Sequence, residues 1–205
     1  MNVLVIPEDF RNDQFILRPI ISAMFKKLGQ PAIIEVLQDP LLGGIDKALD
    51  PMQLKEIIEA NQWKVHLFLL CVDRDANTDR RQVLDKLEQY LNTLTVAPKS
   101  LIAENAWQEL EVWVLAGHDL PAEWSWQEIR RERDPKERYF DKVVENRRLH
   151  DDPGGGRKTL ANEAARKYRR VFARCPEDIQ ILERRIERLI AAGTFLTWPQ
   201  ANEAA

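Results

Sequence analysis

The sequence predicts an α/β fold: a three-layer Rossmannoid parallel sheet with a helical C-terminal region. Three observations carry this. Short apolar runs alternate with stretches of helical periodicity over the first 118 residues. One run, VHLFLLCV (Val65–Val72), is apolar on both faces, as a parallel strand covered by helices above and below requires. After Gly117 only helical patterns follow one another. Strands alternating with helices imply right-handed βαβ crossovers, so the strands point the same way.

The elements follow in order. NVLVIP (Asn2–Pro7) is β-branched and apolar and reads as a buried strand with Glu8 at its carboxyl end. Asp13–Leu28 shows helical spacing through Phe15, Ile16, Ile20, Met24, Phe25 and Leu28. Asp13 is the expected N-cap, Gly29 the C′ residue, and Pro19 either kinks the helix or marks a late start. AIIEVL (Ala32–Leu37) is the second strand, followed by a loop at Gly43-Gly44 and a helix over Pro51–Asn61. Val65–Val72 is the third strand, and Thr78–Leu91 a helix facing inward with Val83, Leu84, Leu87, Tyr90 and Leu91. Leu101–Ala103 is a short fourth strand, and AWQELEVWVLA (Ala106–Ala116) a helix. Beyond it, helices are expected over Trp124–Arg133, Pro135–Leu149, Leu160–Phe172 and Pro176–Ala192, with Asp152-Pro-Gly-Gly-Gly156 as a flexible break. The expected division is an α/β domain at 1–118 and a basic helical region at 119–205 packed on it.

Composition bounds the function. The 205 residues are 44% hydrophobic and 31% charged, enough for one good core, and no apolar run is long enough to span a membrane. The start, MNVLVIPEDF, lacks a basic leader, so a cytoplasmic protein is expected, with Cys71 and Cys175 as buried thiols. The net charge of -3 is unevenly spread: Arg130–Arg174 holds 15 Lys/Arg against 8 Asp/Glu, a local +7, which leaves -10 for the rest. An acidic half beside a basic surface suits a polyanion partner, although a solvated helical face would look the same.

The acidic half carries a pattern. In a parallel sheet the ligand site lies outside the carboxyl ends of the strands. Glu8 leaves strand one there, and Asp73 and Asp75 leave strand three at the same edge. Period-2 geometry would point both aspartates the same way, with Arg74 turned aside. Converging carboxylates repel one another, and a hard divalent cation such as Mg²⁺ or Mn²⁺ removes that penalty. Glu109 and Glu111 add two acids, of which a regular helix turns at most one toward the site. The competing reading of Asp73 and Asp75 is that they cap the next helix.

These residues resemble the TOPRIM domain: a glutamate after strand one, an Asp-x-Asp after strand three and acids downstream. The whole chain is similar to the TOPRIM-like DUF4276 family, through Glu8, Val72-Asp73-Arg74-Asp75 and Glu111-Val112-Trp113-Val114-Leu115-Ala116. The chain departs from OLD-type nucleases, whose Glu-x-x-x-Asp is answered here by Glu8 and Asn12, with Asp9 or Asp13 as substitutes. The resemblance implies a Mg²⁺-dependent nuclease, the effector of a phage-defence pair with an ATPase partner. It implies Glu8, Asp73, Asp75, Glu109 and Glu111 as metal ligands, and Glu8, Asp73, Asp75 and Lys158 as catalytic residues, Lys158 following a mobile loop. DNA or RNA would be held by Arg157, Lys158, Arg166, Lys167 and Arg170. The alternative is a catalytically degenerate subunit that binds nucleic acid or the ATPase.

Other signals are weaker. Gly154-Gly-Gly-Arg-Lys-Thr159 lacks both glycines of a P-loop at their required places, and no strand precedes it. His66, His118 and His150 are too scattered for zinc. Trp107, Trp113, Trp124 and Trp126 either cement the join between the regions or stack bases. A phosphoacceptor receiver domain would need a fifth strand with a following lysine, and a small-residue turn where Arg74 stands.

Overall fold

The computed structural model describes residues 1–94 and 100–194. Four parallel strands, β1 (Asn2–Pro7), β2 (Ile33–Val36), β3 (Leu67–Asp73) and β4 (Ser100–Ala106), form one sheet in the order β2-β1-β3-β4. The α/β three-layer architecture is therefore as the alternation predicts. Side-chain alternation along the strands sorts the core into two layers. Val3, Val5, Leu67, Leu69 and Cys71 face α1 (Phe10–Lys27) and the later helices, whereas Leu4, Ile6, Phe68, Leu70 and Val72 face α2 (Ile45–Ala48), α3 (Pro51–Asn61) and α4 (Arg80–Asn92). Leu69, Leu70 and Phe68 are fully buried, and each such side chain contributes roughly 1.5–3 kcal/mol relative to exposure.

Helix α1 begins earlier than Asp13. Asp9 is the N-cap, its side chain accepting from the Arg11 N–H at 3.1 Å, and Asp13 Oδ2 accepts from the Asp9 N–H at 2.8 Å. The pair acts as a reciprocal cap, so the helix gains a turn and carries Pro19 in its interior. Gly29 (φ 68°) ends it as the left-handed C′ residue, with Gln30 N–H reaching back to the Phe25 carbonyl. The helix α3 spans the expected residues, and α2 occupies part of the segment expected as a loop. On α4 the stripe Leu84, Leu87, Leu91 is buried, but Val83 and Tyr90 are each 42% exposed, because they lie one step off the stripe that meets the sheet.

The largest departure lies at residues 100–110. Pairing with β3 carries β4 through Ala106, so the expected helix over Ala106–Ala116 contracts to α5 (Glu111–Ala116). The outer edge of β4 is closed by side chains. Asn92 bonds both the N–H and the carbonyl of Leu101, Glu88 accepts from the Ala103 N–H, and Arg81 and Arg185 donate to the Ala103 carbonyl. An edge filled in this way offers little to a further strand.

The C-terminal helices are α6 (Trp126–Arg131), a π-helical turn (Lys136–Phe140) leading into α7 (Asp141–Asn146), α8 (Arg157–Arg166), α9 (Tyr168–Arg174) and α10 (Ile179–Ala191). Tyr139, Phe140, Leu160, Ala164, Val171 and Ile186 share one core layer with α1 and the sheet. The approach of α8 to α5 depends on Gly117, where a Cβ would stand 2.5 Å from Ala164 Cα. The glycine segment is not an open break. Gly154, Gly155 and Gly156 form a left-handed turn (φ 68°, 58° and 81°) packed on the Phe15 ring, Val144 and Leu149, and Thr159 Oγ1 donates to Asp152 Oδ2 at 2.6 Å. Trp113 is buried, Trp124 meets Tyr139 edge-on at 5.0 Å and Trp126 Nε1 donates to the Arg174 carbonyl, so these three rings join the helices. His66 Nδ1 accepts from the Asn2 N–H in the core, and both cysteines are free and buried.

Candidate functional site

The strand order places the change of winding direction between β1 and β3, because β2 lies on one side of β1 and β3 and β4 on the other. Loops leaving these two strands diverge, and a crevice opens at their carboxyl ends. Register decides what stands there. Pro7 pairs with Cys71, which brings Glu8 level with the last residues of β3, Val72 and Asp73.

Two loops are stitched together around Asp73. Its Oδ1 accepts from the Leu110 N–H at 2.9 Å at the entrance to α5. The Arg74 and Asp75 N–H groups both donate to the Gln108 carbonyl, at 2.8 and 3.2 Å, and Ala76 N–H donates to Gln108 Oε1 at 2.9 Å. Asp75, Ala76 and Gln108 are non-glycine residues with φ of 51°, 56° and 77°. Three such residues at one junction hold on the order of 1 kcal/mol of strain each. Asp75 is thus off the extended strand, and the shared direction expected for Asp73 and Asp75 does not occur. Asp75 is 49% exposed at its side chain and lies 3.6 Å from Arg80.

Four carboxylates act electrostatically on Asp73. Burial pushes its carboxyl well above the ordinary range, and the charges of Glu111, Asp13, Glu8 and Asp75 push further in the same direction. Glu8 is raised by burial and then by Asp75, against the opposing pull of the Asp73 amide and Arg80. Glu8 Oε2 is buried with no hydrogen-bond partner. Asp13 is pushed up to about 7, chiefly by burial, with Glu111 and Glu8 adding to it. Asp13 enters the site because the helix starts at Asp9, which turns its fourth residue toward the crevice; the four-residue spacing Asp9–Asp13 is the signal that places it.

The two glutamates of the α5 segment separate. Glu111 is buried and enters the cluster, while Arg157 meets it through Nε at 2.8 Å and through Nη2. Glu109 lies outside the α5 helix and accepts from the Lys136 N–H at 2.8 Å. It is pushed up to about 7, mainly by burial. The charge of Glu111 adds to that rise.

The basic residues also separate. Arg157, expected on a nucleic-acid surface, turns inward to Glu111, the Gly154 carbonyl and the face of Phe140, 5.4 Å away. Lys158, expected beside the carboxylates, lines a groove between α1 and α8 with Phe15, Arg18 and Arg166. The helix geometry is the reason: adjacent residues at the start of α8 point about 100° apart. Lys167 and Arg170 both meet Asp119.

Behind the crevice lies a hub that no sequence pattern marks. Asp178 is fully buried, and its carboxylate accepts from Trp107 N–H (2.8 Å), Trp113 Nε1 (2.7 Å), Arg130 Nη1 (3.2 Å) and Ile179 N–H (2.9 Å). It ties the β4–α5 loop to α6 and α10, and so supports the segment that carries Gln108 and Leu110.

The donor set is all oxygen, mutually repelling and partly unsatisfied, which is the chemistry of a hard-cation site. As the side chains stand, no group of three or more His, Cys, Asp or Glu among the described residues is gathered closely enough to hold an ion. Among the described residues no helix is long and apolar enough to cross a membrane. No family model matches the sequence, and neither the curated proteins nor the solved structures contain a significant match.

Proposed function

We propose that the chain is a metal-dependent nuclease whose site is the crevice between β1 and β3. The observation that carries this reading is Glu8 Oε2, buried without a partner among the raised carboxyls of Asp13 and Asp73. An acid left unsatisfied in this way costs roughly 1–3 kcal/mol or more, and is retained where a ligand completes it. Glu8, Asp73 and the partly exposed Asp75 would hold Mg²⁺ or Mn²⁺, with Asp13 in the place of the missing acid at Asn12. The cation would supply an activated water and charge stabilisation at a phosphodiester. Asp13, raised by burial and by its acidic neighbours in the metal-free protein, would be returned to its charged form by a cation bound beside it. Arg157 holds Glu111 in place. The resemblance to TOPRIM-like proteins of the DUF4276 family supports the same reading, and with it an effector role beside an ATPase partner.

A second reading has one observation in its favour. Arg157 already neutralises Glu111, as it would in a degenerate site used only for binding. The experiment is incubation of the purified protein with labelled DNA and RNA, with Mg²⁺, Mn²⁺ or EDTA, alongside thermal unfolding with each ion. Cation-dependent cleavage and a cation-dependent rise in Tm are expected. Absence of both across roughly 0.1–10 mM ion, the order of magnitude at which Mg²⁺ sites fill, would leave the binding subunit as the function.

A further inference from the structure

We propose that the groove between α1 and α8 is the track for a single strand of nucleic acid entering the acidic crevice. This deepens the nuclease reading and rests on it for what happens at the end of the track. Two adjoining hollows form the groove. One, of about 610 Å³, is lined by Phe15, Arg18, Lys26, Lys158 and Arg166; the other, of about 730 Å³, by Lys26, Lys27, Arg166, Lys167, Arg169 and Arg170. Lys26, Ala165 and Arg166 belong to both, so the channel is continuous.

Charge decides the occupant. No carboxylate lines either hollow. Among the described residues, Arg18, Lys26, Lys158, Arg166 and Arg169 make no ion pair within 4 Å. Arg18 and Lys26 of α1, Lys158 and Arg166 of α8 and Arg169 of α9 converge on the groove of a chain of net charge -3, and of these Arg166 also acts electrostatically on Glu163 beyond the rim. A mixed, solvated helical face would alternate its signs. Cations lying on both walls suit a polyanion that enters the groove, and a phosphodiester strand supplies evenly spaced charges along it.

Placement ties the groove to the crevice. Asp13 and Arg157 face the acidic cluster, and the next residues, Gln14 and Lys158, line the groove. From Gln14 to Lys27 the α1 wall runs roughly 20 Å away from the cluster, at about 1.5 Å per residue. The floor favours one strand over two. The helices α1 and α8 share a core layer, with Ile16, Ile20, Leu160 and Ala161 buried. Closely packed helices leave a channel too narrow for a duplex, which would touch the rims alone. The half-buried Phe15, backed by Gly154, offers a ring on which a base can stack.

The test is fluorescence anisotropy in EDTA with a labelled single-stranded DNA, the same sequence as RNA, and a hairpin duplex. Binding without metal separates this proposal from the catalytic one. If the strand binds but is never cut when metal is added, the nuclease reading alone fails. The wild-type protein is expected to prefer a single strand over the duplex at least tenfold, with DNA or RNA identified by the tighter arm. Lys158→Ala/Arg166→Ala should weaken single-strand binding at least tenfold. It should also reduce the slope of log K against log salt by about 1.4, at about 0.7 for each phosphate no longer neutralised. Lys47→Ala/Lys86→Ala, on the opposite side of the sheet, should change neither. Duplex binding equal to or tighter than single-strand binding, or a groove variant that binds like the wild type, would overturn the proposal. So would anionic phosphatidylserine vesicles outcompeting the oligonucleotide.

Discussion

Replacing Asp13 by asparagine should stabilise the metal-free protein, and by more as the pH rises. The Asp13 carboxyl is pushed from 3.8 to about 7 by burial and by the charges of Glu111 and Glu8. The folded state therefore keeps a proton that the unfolded chain releases. For an acid raised in this way, stability falls as pH climbs through the interval between the two values and levels off above the higher one. A shift of about three units corresponds to about 4 kcal/mol at pH 8, of which less than half is already present at pH 5. Asparagine fits the same space, and its Oδ1 can still accept from the Asp9 N–H that Asp13 holds at 2.8 Å. The advantage of Asp13→Asn should therefore grow by about 2–3 kcal/mol between pH 5 and pH 8. In a chain of this size that is a growth of about 5–10 °C in the Tm difference. Thermal unfolding in EDTA at pH 5, 6, 7 and 8 measures it. A difference independent of pH, or a variant less stable than wild type at pH 8, would refute the buried, repelling carboxylate.

Three further outcomes are expected. Asp73→Asn keeps the acceptor for the Leu110 N–H, so the fold should persist, while Mg²⁺- or Mn²⁺-dependent cleavage should drop at least a hundredfold in a nuclease assay; cutting at the wild-type rate would remove Asp73 from the chemistry. Asp178→Ala leaves Arg130 in the core and strips the acceptor from Trp107 N–H and Trp113 Nε1, and urea unfolding should show a loss of about 3–5 kcal/mol. Gly117→Ala drives a Cβ to 2.5 Å from Ala164 Cα and Cβ, and should cost about 1–3 kcal/mol, part of which Ala164→Gly should restore in the double variant by the same measurement.

Local pattern was enough to set the layers. Apolar runs on both faces of Leu67–Val72 demand cover above and below, and α3 and the Gly29 terminus followed local rules of capping and periodicity. The same reasoning placed Glu8 and Asp73 at one edge of the sheet, because the strands of a parallel sheet end on the same side. It failed where a long-range partner outweighed the local pattern. The residues Ser100–Ala106 take strand geometry because β3 offers them seven register partners, although the run from Ala106 carries helical spacing. Asp75 leaves the direction of Asp73 because Gln108, far along the chain, captures the amides around it. Arg157 leaves the surface expected of it for Glu111, while Lys158, expected both at the carboxylates and on that surface, lines the groove, because the direction of each is set by how α8 docks on α1 and α5, about Gly117 and Gly154. The cations Arg18 and Lys26 read as an ordinary exposed helix face until α8 lies opposite them. Periodicity fixes which side of an element is buried; which other element covers it, and therefore which charges meet, is fixed only when the chain packs.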